Sequence, residues 1–180
     1  QFLSPRHAQE LGVSIVFQEL NLFPTLTVAG NIFINREPSL YQTWMNKRHM
    51  VEESRKVLEM IGVDLDPNTP VYSLSIGEQQ MVEIARVISQ ESKLVIMDEP
   101  NSALTDRETE VLFDILRRMK EQGITVIYIS HRLEEVFTIA DRISVIRDGR
   151  YVGTRYIAET DIPTTISNMT GRTLSDIFPE

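Results

Sequence analysis

The chain has 180 residues, 42% of them hydrophobic and 24% charged, with a formal net charge of −8 and no cysteine. That length suits one domain with a substantial core, because chains of this size hide roughly two-thirds of their unfolded surface. The acidic balance argues against a surface built for nucleic-acid backbones or anionic lipid headgroups, the absence of thiols excludes a disulfide framework or a thiolate metal site, and no apolar run approaches the roughly 18 residues of a membrane span.

At the N-terminus, Gln1-Phe2-Leu3-Ser4-Pro5-Arg6 has no basic region leading into an apolar core, so it is not a secretory signal. It also lacks an initiator methionine, and the chain is expected to begin partway through something longer. Ser4 before Pro5 reads as an N-cap with proline at the first helical position, and Gly12 as the stop, so Pro5 to Leu11 is predicted to be a short helix. A strand, Val13 to Phe17, follows directly. Glu19 to Asn35 mixes Pro24, Gly30 and asparagines with apolar residues and reads as a loop leading into a short helix. Lys47 to Ile61 sets Val51, Val57, Leu58 and Ile61 among charges, the pattern of an amphipathic helix, and Asp64 to Pro70 is turn-rich.

Met81, Ile84, Ala85 and Ile88 stand at helical spacing, so a helix with one buried face follows Leu74-Ser75-Ile76-Gly77-Glu78-Gln79-Gln80. Lys93 to Met97 is an apolar strand that ends in Asp98-Glu99-Pro100. Thr105 and Glu108 form a capping-box pattern ahead of Val111, Leu112, Ile115, Leu116 and Met119, and Gly123 closes that helix. Ile124 to Ile129 is a strand, Leu133 to Ala140 a helix, Ile143 to Ile146 a strand, Tyr151 to Arg155 its hairpin partner, and Ile162 to Met169 a last helix. Strands that alternate with helices and are apolar along their length predict an α/β fold with a largely parallel sheet covered on both faces.

Four places carry chemistry. Asp98 and Glu99 end a strand, which is where open α/β sheets bind ligands; one carboxylate suits magnesium and the other an attacking water. Taken alone, Asp-Glu-Pro is more often an acidic turn after an edge strand. Ser75 and Gly77 stand at the positive end of a helix, where a phosphate is held by unpaired N–H groups and the helix dipole. Ser75 with Glu78 is also a capping box, and in isolation that is the better reading. His131, after a strand and Ser130, has an imidazole suited to donating to a γ-phosphate oxygen, although a lone histidine at a strand end is usually a capping or surface residue. Gln18, after the first strand, has an amide that suits both a metal and a water and is the weakest of the four signals.

In chain order, Gln18, Leu74 to Gln80, Asp98-Glu99, Ser102-Ala103-Leu104-Thr105 and His131 resemble the Q-loop, signature, Walker B, D-loop and H-loop of ATP-binding cassette (ABC) ATPases. The resemblance runs from about Gly12 to Pro179. Within the family, Gln18 to Leu22, Ser102 to Thr105 and Thr170-Gly171-Arg172 to Phe178-Pro179 look like the first ATPase half of bacterial monosaccharide importers. The resemblance implies a P-loop NTPase-like parallel sheet (residues 1–20 and 91–160), an inserted α-helical subdomain with the signature (residues 21–90), and a C-terminal helix with the start of a linker (residues 161–180). It implies ATP and Mg2+ as ligands, with Asp98 and Gln18 at the metal, Glu99 as catalytic base, His131 on the γ-phosphate, and Ser75, Gly77 and Glu78, with Gln18, at nucleotide. Its implied partners are a second nucleotide-binding half, in the same polypeptide or as a dimer, transmembrane permease subunits and, indirectly, a periplasmic sugar-binding protein, with no nucleic acid. The implied location is the cytoplasmic face of the bacterial inner membrane.

Departures from the family pattern set further expectations. No two of the eight glycines lie five positions apart, so the phosphate-cradling G-x-x-x-x-G-K-[ST] is not in this sequence. The family places that loop upstream of the Q-loop, and the chain is therefore expected to be N-terminally truncated and, alone, to hydrolyse ATP hardly at all. Ile76 and Glu78 stand where the commonest signature has glycine and glutamine, and Thr105 where the D-loop often has aspartate. Two other readings compete with the importer: a soluble, non-transport cassette ATPase, and a non-catalytic module that completes a partner's ATP site.

Overall fold

The structure is a computed structural model, and it describes residues 4–34, 36, 39–40, 44–45, 47–90 and 92–171. Gln1-Phe2-Leu3, Asn35 and the closing Arg172 to Pro179 singled out above lie outside the described residues. The chain divides into two compact units, one ending at Ile129 and the other starting at Ser130.

The first unit is built on three parallel strands. Strand β1 (Val13–Val16) pairs with β4 (Leu94–Asp98), and β4 with β5 (Thr125–Ile129), in the order β1-β4-β5. Val16 lies opposite Met97, and Asp98 opposite Ile129, so the carboxyl ends of all three strands share one edge. Helix α1 (Pro5–Glu10) starts as the Ser4-Pro5 signal requires: the Ser4 side chain accepts the His7 N–H, and proline follows the cap. Helix α2 (Val28–Ile32) is capped by Thr27. Helix α3 (Lys47–Ile61) has the predicted bounds, but its buried stripe is Met50, Ser54, Leu58 and Ile61. Val51 and Val57, expected inside, are only half-buried. The stripe is rotated by about one position, and a serine occupies it.

Helix α4 (Ile76–Ile88) packs on α2, α3 and β1, and helix α5 (Asp106–Glu121) on β5. Ile84 and Val82 of α4, Val95 and Met97 of β4, and Leu112 and Ile115 of α5 are essentially inaccessible. Each such side chain contributes roughly 1.5–3 kcal/mol of burial, before the entropy of ordering the chain is set against it. Asp98 belongs to β4 as its last residue, one further than the apolar pattern shows. Two short strands, β2 (Ser39–Leu40) and β3 (Trp44–Met45), form a small antiparallel pair that the polar sequence around them does not announce.

Both faces of the sheet were expected to be covered, and here the structure differs. Ile15, Phe17, Ile127 and Ile129 are 37–46% exposed, and β5 alternates exposed with half-buried residues. Apolar runs are what a sheet covered on both faces requires, so this residue pattern exceeds what α4 and α5 alone cover.

In the second unit, helix α6 (Leu133–Ile139) precedes β6 (Arg142–Arg147) and β7 (Arg150–Tyr156), which pair antiparallel with a bulge at Val145/Ile146. β6 therefore sits in the hairpin expected from the sequence, with β7 as its partner. Asp148 and Gly149, both at positive φ, form the two-residue turn. Helix α7 (Ile162–Thr170) packs on β6 and ends at Gly171, whose φ of 72° closes it. Arg147 Nη1 donates to the Asn168 carbonyl at 2.8 Å and ties the strand to the helix.

Candidate functional site

The carboxyl edge of the three-stranded sheet gathers Gln18 and the Asp98-Glu99 pair. Gln18 lies two residues beyond Val16, which is in register with Met97, and its side chain is exposed. Asp98 ends β4, and the Glu99 N–H donates to the Ile129 carbonyl at 2.9 Å, so hydrogen bonding to β5 continues one residue past the strand. Glu99 is then turned by a φ of 45°, the left-handed region. Two features make this position unusual. Glutamate has no local side-chain bond that favours left-handed geometry, and the residue before a proline is normally driven to extended backbone. The conformation costs on the order of 1–3 kcal/mol. Buried Pro100 and Asn101 follow, and Ser102 N–H to Glu99 carbonyl and Leu104 N–H to Asn101 carbonyl turn the chain into α5.

The N-terminus of α4 is a different kind of place. Ser75 Oγ accepts the Glu78 N–H at 3.2 Å, and Glu78 Oε2 accepts the Ser75 N–H at 2.7 Å, a complete capping box. The cap and the exposed serine coexist, since Ser75 itself is accessible. Glu78 is folded back on the cap and its carboxylate is engaged there. Gly77 was expected to face outward beside Ser75, yet it is buried. A Cβ on Gly77 would overlap the carboxyl group of Glu108, with Oε2 at 2.7 Å. The same Glu108 Oε2 accepts the Thr105 N–H at 2.8 Å and the Thr105 hydroxyl at 2.7 Å. These bonds hold the Glu108 carboxyl below the usual carboxylate range, the backbone bond being the larger cause. Helices α4 and α5 therefore touch through a glycine on one and a cap carboxylate on the other. Sequence reading found both capping boxes and missed that contact, because nothing in a linear string brings residue 77 to residue 108.

His131 lies two residues past Ile129, is exposed, and belongs to the second unit. The Arg132 N–H beside it donates to Ser130 Oγ at 3.0 Å.

Sequence reading also missed a buried ion pair on α4. Glu83 is fully buried, and Arg86 Nη2 donates to its Oε1 at 2.7 Å. Burial pushes the Glu83 carboxyl up, and Arg86 opposes that shift. The available signal was a glutamate between Val82 and Ile84 on an otherwise apolar stretch.

Comparison with known proteins gives a consistent result. Residues 3–102 match the family model described as ABC transporter. The chain is 47% identical over 177 residues to the ribose import ATP-binding protein RbsA of Geobacillus kaustophilus, covering 98% of this chain and 36% of that protein. It is 45% identical over 175 residues to the RbsA of Clostridium perfringens strain SM101, covering 97% and 35%. The chain thus spans about a third of the length of the curated relatives it matches. Among solved structures, the ADP conformation of MJ1267, an ATP-binding cassette of an ABC transporter, is 26% identical with a TM-score of 0.75 over 93% of this chain and 72% of that one. The dimeric bacterial ABC transporter cassette MJ0796, 24% identical, shares the fold at a TM-score of 0.70 over 84% and 66%.

Proposed function

This chain belongs to the ABC transporter family, and on that premise we propose that it is part of an ATP-hydrolysing half that drives sugar uptake, as the ribose-import names of its relatives support. The observation that carries the reading is the parallel register that sets Gln18 and Asp98-Glu99 on one carboxyl edge, with Glu99 held in a costly backbone conformation.

In this reading Asp98 and Gln18 hold magnesium, and Glu99 orients or deprotonates the water that attacks the γ-phosphate. Magnesium is usually bound by one or two carboxylates and completes its shell with phosphate oxygens and water. Bound there, the ion would neutralise charge on the phosphates. His131 contacts the γ-phosphate. Ser75, Gly77 and Glu78 serve the ATP held by a second nucleotide-binding half, in the same polypeptide or as a dimer, so closure of the pair depends on nucleotide. With Gly77 buried and the Glu78 carboxylate folded onto the cap, exposed Ser75 carries most of that contact.

Residues 21–90 form the helical lobe that meets transmembrane permease subunits, residues 1–20 and 91–160 the core, and residues 161–180 the C-terminal helix and the start of a linker. A periplasmic sugar-binding protein is an indirect partner, nucleic acid is not one, and the working place is the cytoplasmic face of the bacterial inner membrane. No helix among the described residues is long and apolar enough to cross a membrane.

Because this sequence has no G-x-x-x-x-G-K-[ST], the test uses the chain joined to the coding sequence that flanks it. Magnesium-dependent ATP hydrolysis is expected to fall by about 100-fold or more in Glu99→Gln while nucleotide still binds; equal hydrolysis would assign the base elsewhere. A second reading, a non-catalytic half that presents Ser75 to a partner's nucleotide, is favoured by the exposed serine at the start of α4. Nucleotide affinity measured with and without the partner half separates the two, since only the second reading requires the partner for any binding.

A further inference from the structure

In the loop between β1 and α2, Pro24 to Thr27 are held by backbone bonds to residues 70–72, whereas Asn21 and Phe23 are gripped by side chains. Arg86 Nη1 donates to the Asn21 carbonyl at 2.7 Å, and the Asn21 N–H donates to Glu83 Oε1 at 3.3 Å. Both polar groups of one exposed loop residue are thus gripped by a pair one turn apart on α4. Two residues on, buried Asn31 repeats the device from α2: its Oδ1 accepts the Phe23 N–H at 2.7 Å, and its Nδ2 donates to the Phe23 carbonyl at 3.0 Å.

The Asn21 grip is costly to maintain. Glu83 is 0% exposed, and its second oxygen, Oε2, has no partner among the described residues. A buried ion pair of this kind is often no more stable than apolar residues of the same volume. An acceptor left unpaired in the interior makes the balance worse. Stability alone does not explain a carboxylate here; what the pair delivers is a fixed position for Asn21.

We propose that Glu83 and Arg86 are positioning residues that fasten Asn21 to α4, so that the segment carrying Gln18 moves with the helix whose N-terminus carries Ser75. The proposal rests on the reading of Gln18 and Ser75 given under Proposed function. The lever is short and stiff. Gln18 precedes Asn21 by three residues, at most about 11 Å of chain, and Ser75 precedes Glu83 by eight, about 12 Å of helix. A displacement of the Ser75 corner by a second half would reach the Gln18 amide through one helix and two hydrogen bonds.

The test is a Glu83→Gln/Arg86→Met double variant, which removes the charge pair without leaving a lone buried charge, alongside Arg86→Lys, both in the chain joined to its flanking coding sequence. Amide exchange is read by mass spectrometry on a peptide covering residues 17–23 and on one covering α4. In the double variant the loop peptide is expected to exchange about tenfold faster with α4 unchanged. Unchanged loop exchange overturns the proposal, whether or not the protein hydrolyses ATP. In ATP hydrolysis the double variant is expected to lose about tenfold in kcat with KM for ATP within about twofold, because an unmoored Gln18 misplaces a group needed at the reacting centre and leaves the binding surface alone. Arg86→Lys should recover part of that loss. A kcat that stays at the parent value, or a KM that rises in step with lost thermal stability, overturns the proposal. A parent protein with no hydrolysis at all contradicts the proposed function instead, and the exchange result still decides the clamp.

Discussion

The end of β4 and the start of α4 both present polar residues to solvent, and they are built on opposite principles. At the start of α4 every local preference is obeyed: Ser75 is a favoured N-cap, Glu78 returns its hydrogen bond, and the pair satisfies two backbone donors that a helix end would otherwise leave open. At the end of β4 a glutamate is bent into left-handed geometry immediately before a proline, against two preferences at once. The second unit supplies the control. Asp148 has a similar φ of 51°, but it precedes Gly149 in a two-residue hairpin turn, where positive φ is the normal requirement. The turn accounts for Asp148, whereas Glu99 meets no such requirement, and its position is set by the strand register and by buried Pro100 and Asn101. A stable feature and a strained feature therefore respond differently to substitution, and that difference is measurable.

The largest structural effect is expected where the α4 corner meets α5. In Gly77→Ala the new methyl overlaps the Glu108 carboxyl, the flexible end of its side chain, and displacing it from its bonds to Thr105 should cost about 1–2 kcal/mol in urea unfolding. Adding Glu108→Ala should return most of that loss, because the two sites share one contact and cannot be additive. Full additivity would show that the glycine is required for another reason. Next in size, Ser75→Ala and Thr105→Ala should each lower stability by about 1 kcal/mol as lost caps, with Ser75→Gly costing only a few tenths; thermal melts of the three variants give the ranking. The smallest effect is a pH dependence. Hydrogen bonds from Thr105 depress the Glu108 carboxyl in the folded chain, so its contribution is present above the unfolded carboxylate value of about 4.3. It is lost as pH falls through the lower folded value. Glu108→Gln should therefore flatten the acid limb of a stability-against-pH curve, by an amount that solvent screening keeps small. Glu83 works in the opposite sense. Burial raises its folded-state value, so stability is gained as pH falls through that value, and Glu83→Gln removes the gain.

Much of this was legible in the chain itself. The capping boxes at Ser75/Glu78 and Thr105/Glu108, the helix from Lys47 to Ile61, and the strand ending at the acidic pair follow from local rules of spacing and capping, and the structure places them where those rules do. Two things were not legible, each because it depends on a long-range partner. The packing of Gly77 on Glu108 and the grip of Glu83 and Arg86 on Asn21 join residues about 30 and 60 positions apart, as their numbers in the chain show. The hairpin of β6 with β7, by contrast, was legible: the strand expected from Tyr151 to Arg155 after Gly149 pairs antiparallel with β6. The exposed face of β1 and β5 shows the converse case: the residues there are those of a covered sheet, and their sequence pattern describes more burial than the chain provides.

The contrast between a strain kept for chemistry and a cap kept for stability is tested most directly by Glu99→Gly, in the chain joined to its flanking coding sequence, with urea unfolding and magnesium-dependent ATP hydrolysis measured on the same preparation. Glycine adopts the left-handed region without penalty, so stability is expected to hold or to rise by up to about 1 kcal/mol while hydrolysis falls by about 100-fold or more. A variant that hydrolyses ATP at the parent rate, or that unfolds at markedly lower urea, would show that the bend at Glu99 serves the fold and not the reaction.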